Sequence, residues 1–157
     1  KPDVIYISDY YNDVALIAKQ ARELGYTGPL VGGDGWDSPD LVKIGGKAVE
    51  NGYFTNHFSK DDPSPQVQEF VRKYEAKFGK TPDALAALAY DAMVIMLDAI
   101  KRAGSTDPEK IRAALAATNI QVVSGMISFD KNRNPIKSAV IIAIKDGQQV
   151  YQTTVNP

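Results

Sequence analysis

Along this chain, short unbroken apolar runs alternate with stretches in which apolar residues recur every three or four positions, the pattern of strands interleaved with helices. Residues 4–8 are β-branched and aromatic with little alternation, as in a strand buried on both faces. Val14, Ile17, Ala18, Ala21 and Leu24 then fall at helical spacing, and Gly25 stands where that helix should stop. After the Thr27-Gly28-Pro29 turn, residues 30–32 read as a second short strand. Residues 4–33 are thus a βαβ unit, expected to be parallel and right-handed. That topology places Tyr10 and Asp34 on the same edge of one sheet.

Further on, Ser38-Pro39 opens a short helix that Gly45-Gly46 ends, and residues 52–58 read as a third strand. Ser64-Pro65 starts a helix whose apolar stripe is Val67, Phe70, Val71, Tyr74 and Phe78, broken by Gly79-Lys80-Thr81-Pro82. Residues 83–103 form the longest helix, apolar on most faces and interrupted by Asp91 and Asp98, which share a face and predict a thin stripe to solvent. Those acids also exclude a bilayer span. Asp107-Pro108 caps a helix through Ala117, residues 122–129 read as one strand, and residues 130–135 are a polar connector. Two final strands flank Asp146-Gly147, a strong hairpin signal. The breaks at 79–82 and 130–135 are the candidate hinges.

Charge narrows the partners. With 18 Lys+Arg against 19 Asp+Glu there is no basic footprint for nucleic acid and no polybasic run for an anionic membrane. The absence of cysteine removes disulfides, thiolate metal sites and a cysteine nucleophile, without selecting a compartment. Starting at Lys1 with neither initiator Met nor signal peptide, the sequence reads as cut from something longer.

The stretch that carries chemistry is Val31-Gly32-Gly33-Asp34-Gly35-Trp36. Glycines around one acid permit a sharp turn and close backbone approach, and in an open α/β sheet ligands bind beyond the carboxyl ends of the strands. The expectation is that Asp34 faces a small cationic or amine-bearing ligand and that Trp36 walls the pocket. The rival readings are a turn-capping Asp34 and a Trp36 that anchors the loop from below. Of Tyr10 and Tyr11, one is expected to be an ordinary loop aromatic, and Tyr10 is favoured for the ligand. His57, the sole histidine, ends a strand without nucleophile or metal-ligand spacing and is assigned a structural role. A second function class is an Mg²⁺-binding acidic pocket of the phosphoacceptor kind, built on Asp9 and Asp34 with Asp13, Asp37 and Asp40 nearby. It lacks a Lys or Thr at the end of the third strand, and the glycine loop has neither Gly-x-Gly-x-x-Gly spacing nor a following Lys-Ser/Thr.

Several segments in order carry a resemblance: Asp3-Val4-Ile5-Tyr6 leading to Tyr10-Tyr11-Asn12-Asp13, the run Lys19-Gln20-Ala21-Arg22-Glu23-Leu24-Gly25, the Gly32 to Trp36 loop, Ala89-Tyr90-Asp91-Ala92, and Gly125-Met126-Ile127-Ser128-Phe129-Asp130 before the closing hairpin. Together they resemble the carboxyl-terminal half of the leucine/isoleucine/valine-type substrate-binding proteins of bacterial ABC transporters. The resemblance implies an α/β fold made of parts of two flavodoxin-like, doubly wound lobes of a type I periplasmic-binding-protein clamshell. Residues 1–79 and 137–157 would belong to the carboxyl-terminal lobe and 84–133 to the amino-terminal one, with crossovers near 79–84 and 130–137. It further implies a non-enzymatic protein without cofactor or resident metal, binding a small, aliphatic amino acid between its lobes and delivering it to a membrane permease. An amino-acid sensor of the same fold is the alternative. The expected location is periplasmic, or extracellular and lipid-anchored, and the expected partner of the chain is the missing amino-terminal half or a second copy. By the same resemblance Tyr10 packs against the ligand beside its ammonium, and Asp34 accepts hydrogen bonds from that ammonium. Relatives often carry Glu at the position of Asp34, where the shorter side chain moves the ligand deeper or leaves room for a bridging water and so leaves ligand identity open; they often carry a bulky aromatic where this chain has Ala86 and Ala87, which suggests a roomier pocket or one filled by Trp36.

Overall fold

The computed structural model describes residues 2–157. Its larger sheet is built from β1 (Ile5–Ile7), β2 (Leu30–Gly32), β3 (Gly52–Asn56), β7 (Ala139–Lys145) and β8 (Gln148–Val155), in that spatial order. The first three strands are parallel, with Ile7 level with Gly32 and Gly32 with Phe54, while β7 and β8 run antiparallel to their neighbours. Helix α1 (Tyr11–Glu23) connects β1 to β2, and α2 (Pro39–Gly45) lies between β2 and β3. Both helices pack on one face of the sheet: Val14, Ala15 and Ala18 of α1 and Leu41 of α2 join Ile7, Leu30, Phe54 and Ile142 in one core. On the opposite face Tyr6 (66% exposed) and Tyr53 (39%) lie in one cross-strand row through Val31.

Local chemistry accounts for the connections. Asp146 and Gly147 both adopt positive φ, the requirement of a two-residue hairpin, and the Glu50 carboxylate accepts hydrogen bonds from both of their amides (3.1 and 2.7 Å). Arg22 donates to the carbonyls of Tyr26, Gly28, Ala48 and Glu50, tying the end of α1 to the loops on either side of β2.

The second packing unit consists of α3 (Pro65–Phe78), α4 (Ala84–Ala103), α5 (Pro108–Ala116) and a small antiparallel sheet of β4 (Asn119–Val122), β5 (Gly125–Phe129) and β6 (Pro135–Ile136). Its core is Phe58, Val67, Phe70, Ala84, Ala87 and Val123, with Val71 and Tyr74 against it. Helix α3 packs its apolar stripe on α4 and the β4–β5 turn. Two expectations are corrected here. The strand expected over 122–129 is two strands separated by a turn that Gly125 permits at φ 112°.

The second correction concerns α4. Asp91 does not face solvent: it is 2% exposed, and its carboxylate accepts hydrogen bonds from Val123 N (2.8 Å) and Ser124 N (2.9 Å), closing the β4–β5 turn. Lys137 joins the same cluster by donating to Ser124 Oγ (3.0 Å); burial pulls its ammonium down from its ordinary pKa while the Asp91 charge pushes it back up. Asp98 holds Arg102, which also donates to Ala114 O and Thr118 Oγ1 and so fixes α5 against α4. The solvent side of α4 is instead apolar, with Leu85, Met93 and Leu97 each more than half exposed.

Candidate functional site

The carboxyl ends of β1, β2 and β3 form one edge, and the side chains of interest follow them in strand order. Tyr10 lies in the short loop after β1, as the residue preceding α1; its carbonyl accepts from Val14 N, and its amide donates to Asp9 Oδ1 (2.8 Å). Its side chain is free for contact, the residue being 69% exposed. After β2 the chain turns through a single 3₁₀ segment, Asp34–Trp36. A Cβ on Gly35 would lie 2.8 Å from Asp9 O and 3.4 Å from Tyr10 Cδ1, so glycine is what lets the two loops meet. Tyr10 and the Asp34 turn are thereby brought together, and the Asp34 carboxylate is 64% exposed at this edge.

Trp36 is placed otherwise. It has no exposed surface, its Nε1–H donates to Ile7 O (3.1 Å), and its ring lies against Phe54 with centroids 5.9 Å apart. A Cβ on Gly32 would come within 2.2 Å of the indole, so that glycine exists to admit the ring. Trp36 thus lies buried beneath the loop and holds the turn that presents Asp34.

A residue assigned only a structural role completes the edge. His57 directly follows β3, and its Nε2 lies 3.2 Å from Asp34 Oδ2. Its amide donates to Asn56 Oδ1 (2.8 Å), and Asn56 is buried at 3% exposure. Asn56 also bonds the Asp37 carboxylate, which accepts from Ala84 N (3.2 Å) at the start of α4. Burial raises the Asp37 pKa above its ordinary value; the Asn56 and Ala84 hydrogen bonds oppose that shift, and repulsion from Asp83 and Asp34 adds to it. A polar chain thus runs from Asp34 through His57, Asn56 and Asp37 into the second packing unit. The signal for His57 was available in topology: β3 is the next parallel strand, so its last residue shares the edge of Tyr10 and Asp34.

Between the end of β3 and the β4–β5 turn lies a cleft of about 390 Å³, lined by His57, Ser59, Ser124, Ser138 and Thr154 among others. A groove of about 550 Å³ lies beside Asp37, Asn56 and Asp83, and an apolar one of about 580 Å³ runs over Phe70, Tyr74, Phe78 and Tyr90. None of these three includes Tyr10 or Asp34, which stand on open surface. Among the described residues no three acidic or histidine side chains converge to hold a metal ion. The edge offers a carboxylate, an imidazole and an aromatic face: acceptors and a π surface suited to a compact cation, with no nucleophile aligned to a base.

Three parallel strands whose carboxyl ends lead to Tyr10, Asp34 and His57, joined to a second packing unit, make a mixed α/β fold. The periplasmic binding protein family matches residues 1–149, and the chain belongs to that family. Its fold class is α/β of the type I kind. It is 28% identical over 130 residues to the leucine-, isoleucine-, valine-, threonine- and alanine-binding protein of Pseudomonas aeruginosa, covering 81% of this chain and 34% of that one. The crystal structure of the leucine-binding protein LivK of Thermotoga maritima superposes with a TM-score of 0.90 at 47% identity, covering 99% of this chain and 45% of that one. The branched-chain amino acid transporter substrate-binding protein LivJ of Streptococcus pneumoniae, solved with isoleucine, superposes at 0.84 with 32% identity and the same coverage. The chain thus spans less than half the length of these relatives.

Proposed function

We propose that this chain supplies one wall of an extracytoplasmic amino-acid binding site, the remainder of which lies in sequence outside it, and that the complete protein hands a small aliphatic amino acid to an ABC-transporter permease rather than transforming it. The observation that carries the reading is the meeting of Tyr10 and Asp34 on one sheet edge through Gly35. A carboxylate facing an α-ammonium makes a short charge-assisted hydrogen bond, and an aromatic face beside it adds cation–π attraction. The names of the relatives, which bind leucine, isoleucine and valine, support the ligand class. Binding between two lobes would be accompanied by hinge closure, because each lobe contributes part of the contact free energy.

The test is calorimetric titration of the full-length protein with leucine, isoleucine, valine and alanine, alongside Asp34→Ala. Losing a charge-assisted hydrogen bond of about 1.5–3 kcal/mol weakens binding roughly 10- to 100-fold. An Asp34→Ala protein that binds as tightly as wild type would remove Asp34 from the site. The present chain alone should bind these ligands weakly, since it offers one of two contacting surfaces.

A further inference from the structure

Tyr10 and Asp34 carry the proposed function; the third side chain in strand order, His57, has no role in it. Its position is defined from below by the bond from its amide to the buried Asn56, while its imidazole, 41% exposed, reaches Asp34 Oδ2 at 3.2 Å. Nε2 can bond the carboxylate only when it bears a hydrogen. We propose that His57 is a ligand-site residue that shares the Asp34 carboxylate with the ammonium of the bound amino acid, so that its charge sets the affinity. The inference rests on the reading of Asp34 as the ammonium acceptor.

A carboxylate has about four lone-pair sites, so one imidazole N–H and an ammonium can occupy it together. A neutral imidazole donates one hydrogen bond, orients the carboxylate and leaves its charge for the ligand. An imidazolium neutralises the carboxylate and repels the incoming ammonium. Other charges do not override this pairing. Among the described residues, the other titratable side chain in the cleft that His57 lines is Asp62, and Lys137 touches that wall through Ser124 Oγ. On the remaining sides, Asp9 is engaged with the Tyr10 amide, and Asp37 with Asn56 and Ala84 N. Asp34 is the charged group in direct contact.

Histidine changes charge between pH 5 and 8. Since both partners are partly exposed, the effect has the size of a solvated pair, and wild-type affinity for leucine should fall about two- to fivefold between pH 8 and pH 5.5. The experiment is titration of the full-length protein with leucine, isoleucine and valine at both pH values, using wild type, His57→Gln and His57→Lys, with thermal melts to establish folding. His57→Gln keeps a donor without a titrating ring, so its affinity should not change between pH 8 and pH 5.5. His57→Lys, a permanent cation, should bind at pH 8 as weakly as wild type does at pH 5.5. Full pH dependence in His57→Gln, or wild-type affinity in His57→Lys, overturns the inference while leaving the ligand class intact. A wild-type protein that binds none of the three amino acids at either pH overturns the proposed function and this inference with it.

Discussion

Trp36 offers the sharpest separation between a core and a pocket role. Replacing a buried Trp by Ala costs about 3–5 kcal/mol, part transfer free energy and part cavity. Three features place this site in the upper part of that range. The ring has no exposed surface, its removal leaves the Ile7 carbonyl without its Nε1–H donor, and Gly32 and Gly52, which border the ring, have no side chains to fill the void. Trp36→Phe keeps most of the packing and loses the hydrogen bond, so about 1–3 kcal/mol is expected. With a urea slope of roughly 2 kcal/mol/M, a 4 kcal/mol loss lowers the unfolding midpoint by about 2 M, read by far-UV circular dichroism. As the single tryptophan, Trp36 is also its own reporter, and in the wild-type chain its emission should shift on unfolding and not on ligand addition. A Trp36→Ala midpoint within about 0.5 M of wild type, together with binding weakened more than tenfold, would return the indole to the ligand-facing wall and refute the packing argument.

Two further substitutions probe the joints of the fold. Asp91→Asn leaves one of the Val123 and Ser124 amides facing an NH₂ group instead of an oxygen, and should cost about 1.5–3 kcal/mol, with hydrogen exchange at those two amides accelerating by the corresponding factor; a change under about 0.5 kcal/mol would show that the turn closes without it. For Asp37 the raised pKa sets the sign: the folded state holds the proton more tightly than the unfolded one, so the contribution of Asp37 is fully favourable below about pH 4 and is lost as pH rises through the higher folded value. Asp37→Asn, which keeps an acceptor for Ala84 N, should therefore gain stability relative to wild type as pH goes from 4 to 7 in urea titrations, and a difference that is flat or falls with pH would contradict the burial.

What the sequence makes legible is what neighbouring residues decide. The β1–α1–β2 unit follows from apolar spacing and Gly25, and the β7–β8 hairpin from Asp146-Gly147, because turn and period are local properties. Tyr10 and Asp34 could be set on one edge for the same reason: the topology of a βαβ unit is nearly invariant. Illegible were the features that depend on distant partners. The turn between β4 and β5 is held by Asp91, more than thirty positions earlier, so residues 122–129 look like one strand until that carboxylate is seen beneath them. The stripe on α3 announces burial but not against which core. An aromatic after three glycines looks like a display element; whether it points out or in was decided by the missing Cβ atoms of Gly32 and Gly52.

The inverted polarity of α4 carries the last consequence. A surface helix ordinarily turns its acids outward and its apolar stripe inward. Here Asp91 is inside, while Leu85, Met93 and Leu97 recur along one exposed stripe with Met96 beside them. The same excess occurs on the sheet, where Tyr6 and Tyr53 occupy the face opposite α1, although parallel strands are normally covered on both faces. Exposed contiguous apolar surface of this kind marks an interface. In the chain by itself these two faces are open to a second copy. Sedimentation velocity should therefore show the chain associating as its concentration rises from about 10 to 200 μM, and Met93→Lys with Leu97→Glu should shift it towards monomer without lowering its thermal stability, since neither side chain is in the core. A wild-type chain that sediments as a monomer throughout that range would mean that these side chains are ordinary surface residues and that the two faces need no cover.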